Sequence, residues 1–317
     1  MSYSLRLSVT DRCSLRCVYC MPVEGGSFVS WREVLSFDEI VRFARVMRSD
    51  FGLDKIRLTG GEPLLRPGLP ELVARLAALG ISDLAMTTNG QWLAEHAAPL
   101  KRAGLRRVNV SLDSLDAANY RVMARGGELR RVLDGIEAAL SADLAPLKLN
   151  MVVMRGKNDH EILDLARFGL ARGCTVRFLE LMPIGIAGDE FDRRFIPSAE
   201  VRERLAAEFE LTPLPETPGA SSREFRAAHR DGRVTTLGFI SPYSHPFCAG
   251  CRRLRLTAGG VLMGCLARSA GVPLAPLLRG PGEPNRDALA RAIAGAMAVK
   301  RDDGAFAQPR DMAGIGG

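Results

Sequence analysis

Leu5-Arg6-Leu7-Ser8-Val9-Thr10 alternates apolar and polar side chains and runs within three residues into Cys13, with Cys17 and Cys20 close behind. Side chains alternate across a strand, so Leu5, Leu7 and Val9 share one face and Arg6 and Ser8 the other. The pattern recurs down the chain. Arg57 and Thr59 oppose Ile56 and Leu58; Thr87 and Asn89 share a face, as do Asn109, Ser111 and Asp113, and Lys148 and Asn150. Buried parallel strands are ordinarily near-continuous apolar runs. Strands with one polar face predict a barrel whose interior does work. Arg6, Arg57 and Lys148 in such a lumen need an anion, either a ligand or internal partners such as Asp113 or Glu180.

Working outward, predicted strands at Leu5–Thr10, Lys55–Gly60, Asp83–Asn89, Arg107–Asp113, Leu147–Met154 and Val176–Met182 alternate with predicted helices. The helices are Phe37–Met47, Leu69–Leu79, Leu93–Ala103, Leu129–Ala142 and Glu161–Ala171, with Ser36 as a cap and Gly80 and Gly104 as stops. Strand–helix repeats with short connections imply parallel strands and right-handed crossovers. The choice lies between a barrel and an open doubly wound sheet, and the polar faces favour an incomplete (βα)6 TIM-like barrel over residues 1–210. After Met182 the pattern changes: a glycine-rich loop at Pro183–Asp189, a helix Ser198–Phe209 capped by Ser198, and a Pro/Thr/Ser-rich linker at Leu211–Ser222. A strand Val234–Ile240, a helix Arg286–Val299 and an irregular Arg301–Gly317 complete a second domain, residues 211–317, expected to close the barrel mouth.

With 47% hydrophobic and 25% charged residues among 317, the chain has a core and is not disordered. It contains no apolar run of the roughly 18 residues a membrane helix needs, and Met1–Thr10 lacks the basic start and apolar block of a signal peptide. The expectation is a soluble, cytoplasmic protein with no membrane partner. The net charge of +7 is carried by arginine; only Lys55, Lys101, Lys148, Lys157 and Lys300 are lysines among 43 basic residues. A basic balance suits an anionic ligand. Aromatics at 6%, with no interleaved basic run, argue against nucleic acid.

Six of the seven cysteines form two triplets, Cys13-x3-Cys17-x2-Cys20 and Cys248-x2-Cys251-x13-Cys265. The first lies just past the first strand, at the rim where parallel barrels carry their chemistry. Three thiolates can hold three irons of a [4Fe–4S] cluster and leave the fourth open. Zinc is the alternative, and at the second triplet His245 would complete a Cys3His site. There Cys251-Arg252-Arg253-Leu254-Arg255 favours an open iron beside an anion-binding wall. Cys174 reads as a core thiol.

Cys13-x3-Cys17-x-Tyr19-Cys20 with Thr59-Gly60-Gly61-Glu62-Pro63 resembles the radical S-adenosylmethionine superfamily. The resemblance implies that Cys13, Cys17 and Cys20 hold a cluster that chelates S-adenosylmethionine, with Gly60 and Gly61 letting backbone carbonyls approach the methionyl ammonium and Glu62 adding an acceptor. The whole chain is similar to the GTP 3′,8-cyclase family, which catalyses the first step of molybdenum-cofactor biosynthesis. Leu5–Cys13, Cys20-Met21-Pro22, Lys55–Leu64, Thr87–Gly90, Leu105–Asp113, Arg177–Met182, the second triplet and Gly316-Gly317 carry this resemblance.

It implies two [4Fe–4S] clusters, the second on Cys248, Cys251 and Cys265 with its open iron facing guanine. It implies S-adenosylmethionine contacts at Tyr19, Gly61, Ser111 and Met182, and GTP contacts at Arg6, Arg57, Thr87, Lys148, Arg253, Leu254 and Arg255. It implies that Gly316 and Gly317 enter the lumen and act in catalysis. GTP would become 3′,8-cyclo-7,8-dihydro-GTP, with an electron donor and a downstream cyclic pyranopterin monophosphate synthase as partners and a homodimer left open. Two departures from the family pattern are a start only four residues before Leu5 and a glycine at position 314 where relatives carry a bulkier residue. The rival reading is a radical S-adenosylmethionine enzyme that modifies a peptide and carries an auxiliary cluster.

Overall fold

The computed structural model describes residues 3–26, 28–216, 219–280, 282–300, 306–308 and 312–316. Its strands are β1 (Tyr3–Ser8), β2 (Leu53–Thr59), β3 (Asp83–Thr88), β4 (Arg107–Ser111), β5 (Lys148–Val153), β6 (Thr175–Glu180), β7 (Phe209–Pro213), β8 (Arg223–His229), β9 (Val234–Ile240), β10 (Arg253–Leu256), β11 (Val261–Met263) and β12 (Val272–Pro273). The helices are α1 (Phe37–Phe51), α2 (Leu69–Ala77), α3 (Leu93–Arg102), α4 (Ala117–Ala124), α5 (Leu129–Ser141), α6 (Ile162–Arg172), α7 (Ala187–Arg194), α8 (Ser198–Leu205), α9 (Ala275–Leu278), α10 (Arg286–Ala298) and α11 (Met312–Ile315).

The strands form one 12-stranded sheet in the order β12-β11-β10-β1-β2-β3-β4-β5-β6-β9-β8-β7. Strands β1 to β6 are parallel neighbours, as expected. The sheet then extends beyond them: β10 joins β1 and β9 joins β6, both in parallel, and antiparallel strands flank each side. Among the described residues the end strands β12 and β7 do not pair, so the barrel is partial and open.

The apolar face of each parallel strand packs on helices. Leu5, Leu7, Ile56, Leu58, Val108, Val110 and Leu149 are at most 1% exposed and belong to one hydrophobic cluster. α1 presents Ile40, Phe43, Ala44 and Met47 to it and starts at a capping box, in which Ser36 and Glu39 satisfy each other's backbone N–H.

Several predicted elements need correction. Ser198 does not cap α8 but is its first residue; Pro197 precedes it, and the Ser198 hydroxyl accepts a 2.7 Å bond from Ser241. The expected linker at 211–222 is partly strand: Thr212 and Pro213 pair with Arg226 and Phe225. Proline is tolerated there because β7 is an edge strand. Asp189 lies within α7, not in a loop. No helix among the described residues is long and apolar enough to cross a membrane.

Candidate active site

Register sets the site. Arg255 on β10, Arg6 on β1 and Arg57 on β2 are successive Cα partners, so three arginines stand in one row across three parallel strands. Leu254 alternates to the opposite face, where its side chain is fully buried in the core; it can offer a ligand only its backbone. Burial, then the neighbouring arginines, hold Arg6 and Arg57 well below the ordinary guanidinium value, and burial brings Arg255 down to about 9.

Internal carboxylates answer only part of this charge. Lys148 Nζ and Arg177 Nη2 share Glu224 Oε1, at 3.0 and 2.9 Å. Asp113 and Glu180 are engaged elsewhere. Asp113 accepts from Tyr19 Oη at 2.6 Å and from Val152 N at 2.9 Å. Glu180 accepts from Ser198 N, Tyr243 N, Ser244 N and the Ser244 hydroxyl. Arg6 and Arg57 have no acidic partner among the described residues, and their buried Nε atoms have no hydrogen-bond partner. A buried donor without a partner is costly, so these two arginines are arranged for an anion that the protein does not itself supply.

The first thiol triplet follows the end of β1. Cys13 Sγ accepts from Leu15 N at 3.4 Å and Asn89 Nδ2 at 3.8 Å. Burial pushes Cys13 up to about 11 and, with Cys20 and Asp113 nearby, raises Cys17 well above the ordinary thiol. Such thiols are poor free nucleophiles and ionise readily only beside a bound cation.

Gly60 and Gly61 are required by a close backbone approach: a Cβ would meet Thr10 O at 2.3 Å or Arg12 O at 2.4 Å, respectively. Gly61 N and Glu62 N donate to Thr10 O and Arg12 O, both at 2.8 Å, so this turn buttresses the cysteine loop. Glu62 belongs to this turn. It is fully buried and accepts from Leu64 N, Thr88 Oγ1 and Asn89 N, and burial raises it to about 7. Its oxygens hold the turn together.

The second triplet lines a cavity of about 170 Å³ together with Arg6, Met182, Arg253, Arg255 and Lys300. Three thiols and four cations around one space suit an iron–sulfur body and an anionic ligand. His245, the candidate fourth zinc ligand, makes a 2.7 Å contact between its Nδ1 and Arg223 Nη2. No group of three or more His, Cys, Asp or Glu side chains among the described residues is arranged for a single metal ion. All seven cysteines are free.

The chain end enters the same lumen. Ile315 is buried with Ile184 and Met263, and Gly316 O accepts from Arg255 Nη1 at 2.8 Å and Thr59 Oγ1 at 3.4 Å. Gly316 has φ 71°, and a Cβ there would lie 2.9 Å from Ser8 Cβ. A Cβ at Gly314 meets open space, so a bulkier residue would fit. Gly317 lies outside the described residues. Of the remaining predicted contacts, Thr87 accepts from Asn109 Nδ2 at 3.3 Å, and Ser111 is partly exposed at the end of β4. Sequence reasoning missed Glu224, Arg177 as a lumen cation, and the Tyr19–Asp113 pair. Arg177 follows the same alternation, opposite Val176 and Phe178, that revealed Arg57.

Residues 7–169 match the Radical SAM superfamily and residues 174–306 match Molybdenum Cofactor Synthesis C. The chain is therefore a radical S-adenosylmethionine protein, a class that uses a [4Fe–4S] cluster and S-adenosylmethionine. It is 47% identical to the GTP 3′,8-cyclase of Pseudomonas fluorescens (strain Pf0-1), covering 93% of this chain and 88% of that one. It is 44% identical to that of Geobacter sulfurreducens, covering 99% and 96%. Within the class, it belongs to the GTP 3′,8-cyclase family. Streptococcus suis SuiB bound to S-adenosylmethionine shares the fold, with a TM-score of 0.63 at 15% identity over 88% of this chain and 65% of that one.

Proposed function

We propose that this chain converts GTP to 3′,8-cyclo-7,8-dihydro-GTP, the first step of molybdenum-cofactor biosynthesis, with a cluster on each thiol triplet. The observation that supports the reading is the row Arg255–Arg6–Arg57 beside the thiol-lined cavity, two of its members forming no ion pair among the described residues. Cys13, Cys17 and Cys20 would hold the first cluster, with Tyr19, Gly61, Ser111 and Met182 around S-adenosylmethionine. Bound there, the pair supplies the 5′-deoxyadenosyl radical that removes hydrogen from C3′.

Everything else falls to the chain's own residues. Arg6, Arg57 and Lys148 draw the triphosphate into the lumen, with Thr87 alongside. Arg253, Arg255 and the Leu254 backbone, next to Cys248, Cys251 and Cys265, present the base. Gly316 helps to close the lumen against water. C3′ and C8 belong to one molecule, so what the pocket adds is orientation: it holds the sugar against the base in a near-attack geometry.

An electron donor and a separate enzyme that takes the product onward are the partners this chemistry requires, and cysteines kept for clusters rather than disulfides support a cytoplasmic reading. The test is anaerobic reconstitution with iron, sulfide, GTP and S-adenosylmethionine. One hydrogen leaves C3′ and one arrives at the base as an electron and a proton, so the product is an isomer of GTP. The expected result is a nucleotide of unchanged mass and altered retention, formed with 5′-deoxyadenosine. Deoxyadenosine formation without that isomer would refute the reading.

A further inference from the structure

Lys300 follows α10 and points into the thiol-lined cavity. Its Nζ lies 3.6 Å from Cys251 Sγ, donates to Arg253 O at 2.7 Å, and donates to Gly264 O. An ammonium has three N–H donors, and these three partners use them all. They belong to two segments: Cys251 and Arg253 at the start of β10, and Gly264 between β11 and Cys265. One side chain thus ties together the backbones that carry two of the three thiols.

The reach of Lys300 is fixed by packing. α10 sits so close to this turn that a Cβ on Gly264 would lie 1.7 Å from Ala296 O. The cation is also placed where it is least welcome, on a wall that already holds Arg6, Arg253 and Arg255. Among the described residues no carboxylate pairs with it; the groups of opposite character that act on it are Cys251 and Cys265. A fourth cation in this cavity makes electrostatic sense if those sulfurs are thiolates of a cluster.

We infer that Lys300 is a positioning residue of the second cluster: it donates an N–H···S bond to the Cys251 sulfur, clamps the Cys251 and Cys265 segments, and thereby raises the cluster's reduction potential. The inference rests on the second-cluster reading above. Hydrogen bonds to cluster sulfurs and nearby positive charge favour the reduced, more negative state. Lysine suits the place because a compact ammonium directs its three N–H groups out of any single plane, whereas a guanidinium's donors are confined to one.

The experiment uses the full chain with Cys13, Cys17 and Cys20 changed to alanine, so that only the second cluster reports. Iron and zinc are counted, the cluster is titrated redox-potentiometrically by electron paramagnetic resonance, and iron loss to a chelator is timed. Lys300→Met should shift the reduced-to-oxidised ratio at a fixed potential at least tenfold towards oxidised, 59 mV for one electron, and speed iron loss severalfold. Lys300→Arg, which keeps the charge and loses the three-point clamp, should show most of the faster iron loss and less of the potential shift. An unchanged potential in loaded Lys300→Met overturns the inference, even if iron is lost faster, because that would be mere support of the fold. Zinc or no iron in the parent with Lys300 intact defeats the second-cluster reading itself.

Discussion

The carbonyl oxygen of Gly316 accepts a 2.8 Å hydrogen bond from Arg255 Nη1, so a residue of the arginine row holds the end of the chain inside the lumen. Chain ends are ordinarily frayed; this one is anchored by Ile315 and enters a space that admits no side chain. Gly316→Ala would put a Cβ 2.9 Å from Ser8 Cβ in a left-handed backbone, a conformation that costs about 1–2 kcal/mol before any clash. We expect this variant, and deletion of Gly316 and Gly317, to lower cyclised nucleotide at least tenfold while 5′-deoxyadenosine formation persists. An unchanged ratio of the two products would mean that the tail is a passive end.

Two triplets predict about eight irons per chain and one triplet about four, by the ligand count of [4Fe–4S] clusters. Changing Cys248, Cys251 and Cys265 to alanine should halve the iron of anaerobically purified protein. Cleavage of S-adenosylmethionine by dithionite should remain detectable. Zinc at the second triplet of the unmutated protein, with only about four irons, would be the contrary result.

The parallel strands were legible because their period-two alternation has a physical cause, one wall on helices and the other on a polar lumen. The same alternation marked Arg6, Arg57 and Lys148. What was not legible depends on pairing between distant segments. β10 has four residues, half of them arginine, and nothing local shows that it will sit in register with β1. Glu224 lies in a strand read from sequence as part of no element, and its meeting with Lys148 and Arg177 follows from β8 folding back along β9. The Tyr19–Asp113 bond joins residues 94 apart. Lys300 did leave a trace: it is one of five lysines in a chain that otherwise uses arginine.

Asp113 gives a pH prediction. Burial raises its carboxyl from the ordinary 3.8 to about 6, against the opposing hydrogen bonds from Tyr19 and Val152. The folded state therefore binds more protons than the unfolded state between those values. Stability from this group is fully present below about pH 4 and is lost as pH rises through 6. At 1.36 kcal/mol per unit the loss is at most about 3 kcal/mol. Asp113→Asn keeps an acceptor for Val152 N and removes the titration. Denaturant unfolding should find the variant close to the parent at pH 4 and more stable at pH 8. A parent–variant difference that does not change with pH would contradict this.

Arg57 offers the sharpest separation between binding and stability. Arg6, Arg107, Arg177 and Arg253 all act against its charge, its Nε is buried without a partner, and Asp83, which acts on it, is paired with Arg107 and makes no ion pair with Arg57 among the described residues. Removing one side of a charge-assisted contact in a complex typically costs about 2–5 kcal/mol of binding. Replacing an uncompensated cation with an apolar side chain of similar length should instead help the empty fold. Arg57→Met is therefore expected to weaken GTP binding by that amount and leave S-adenosylmethionine cleavage without GTP nearly unchanged. The ligand-free protein should melt at the same temperature or higher. Calorimetric GTP titration and thermal melts of the same preparations measure both. Lower stability together with unchanged GTP affinity would show that Arg57 is satisfied within the protein and takes no part in holding the triphosphate.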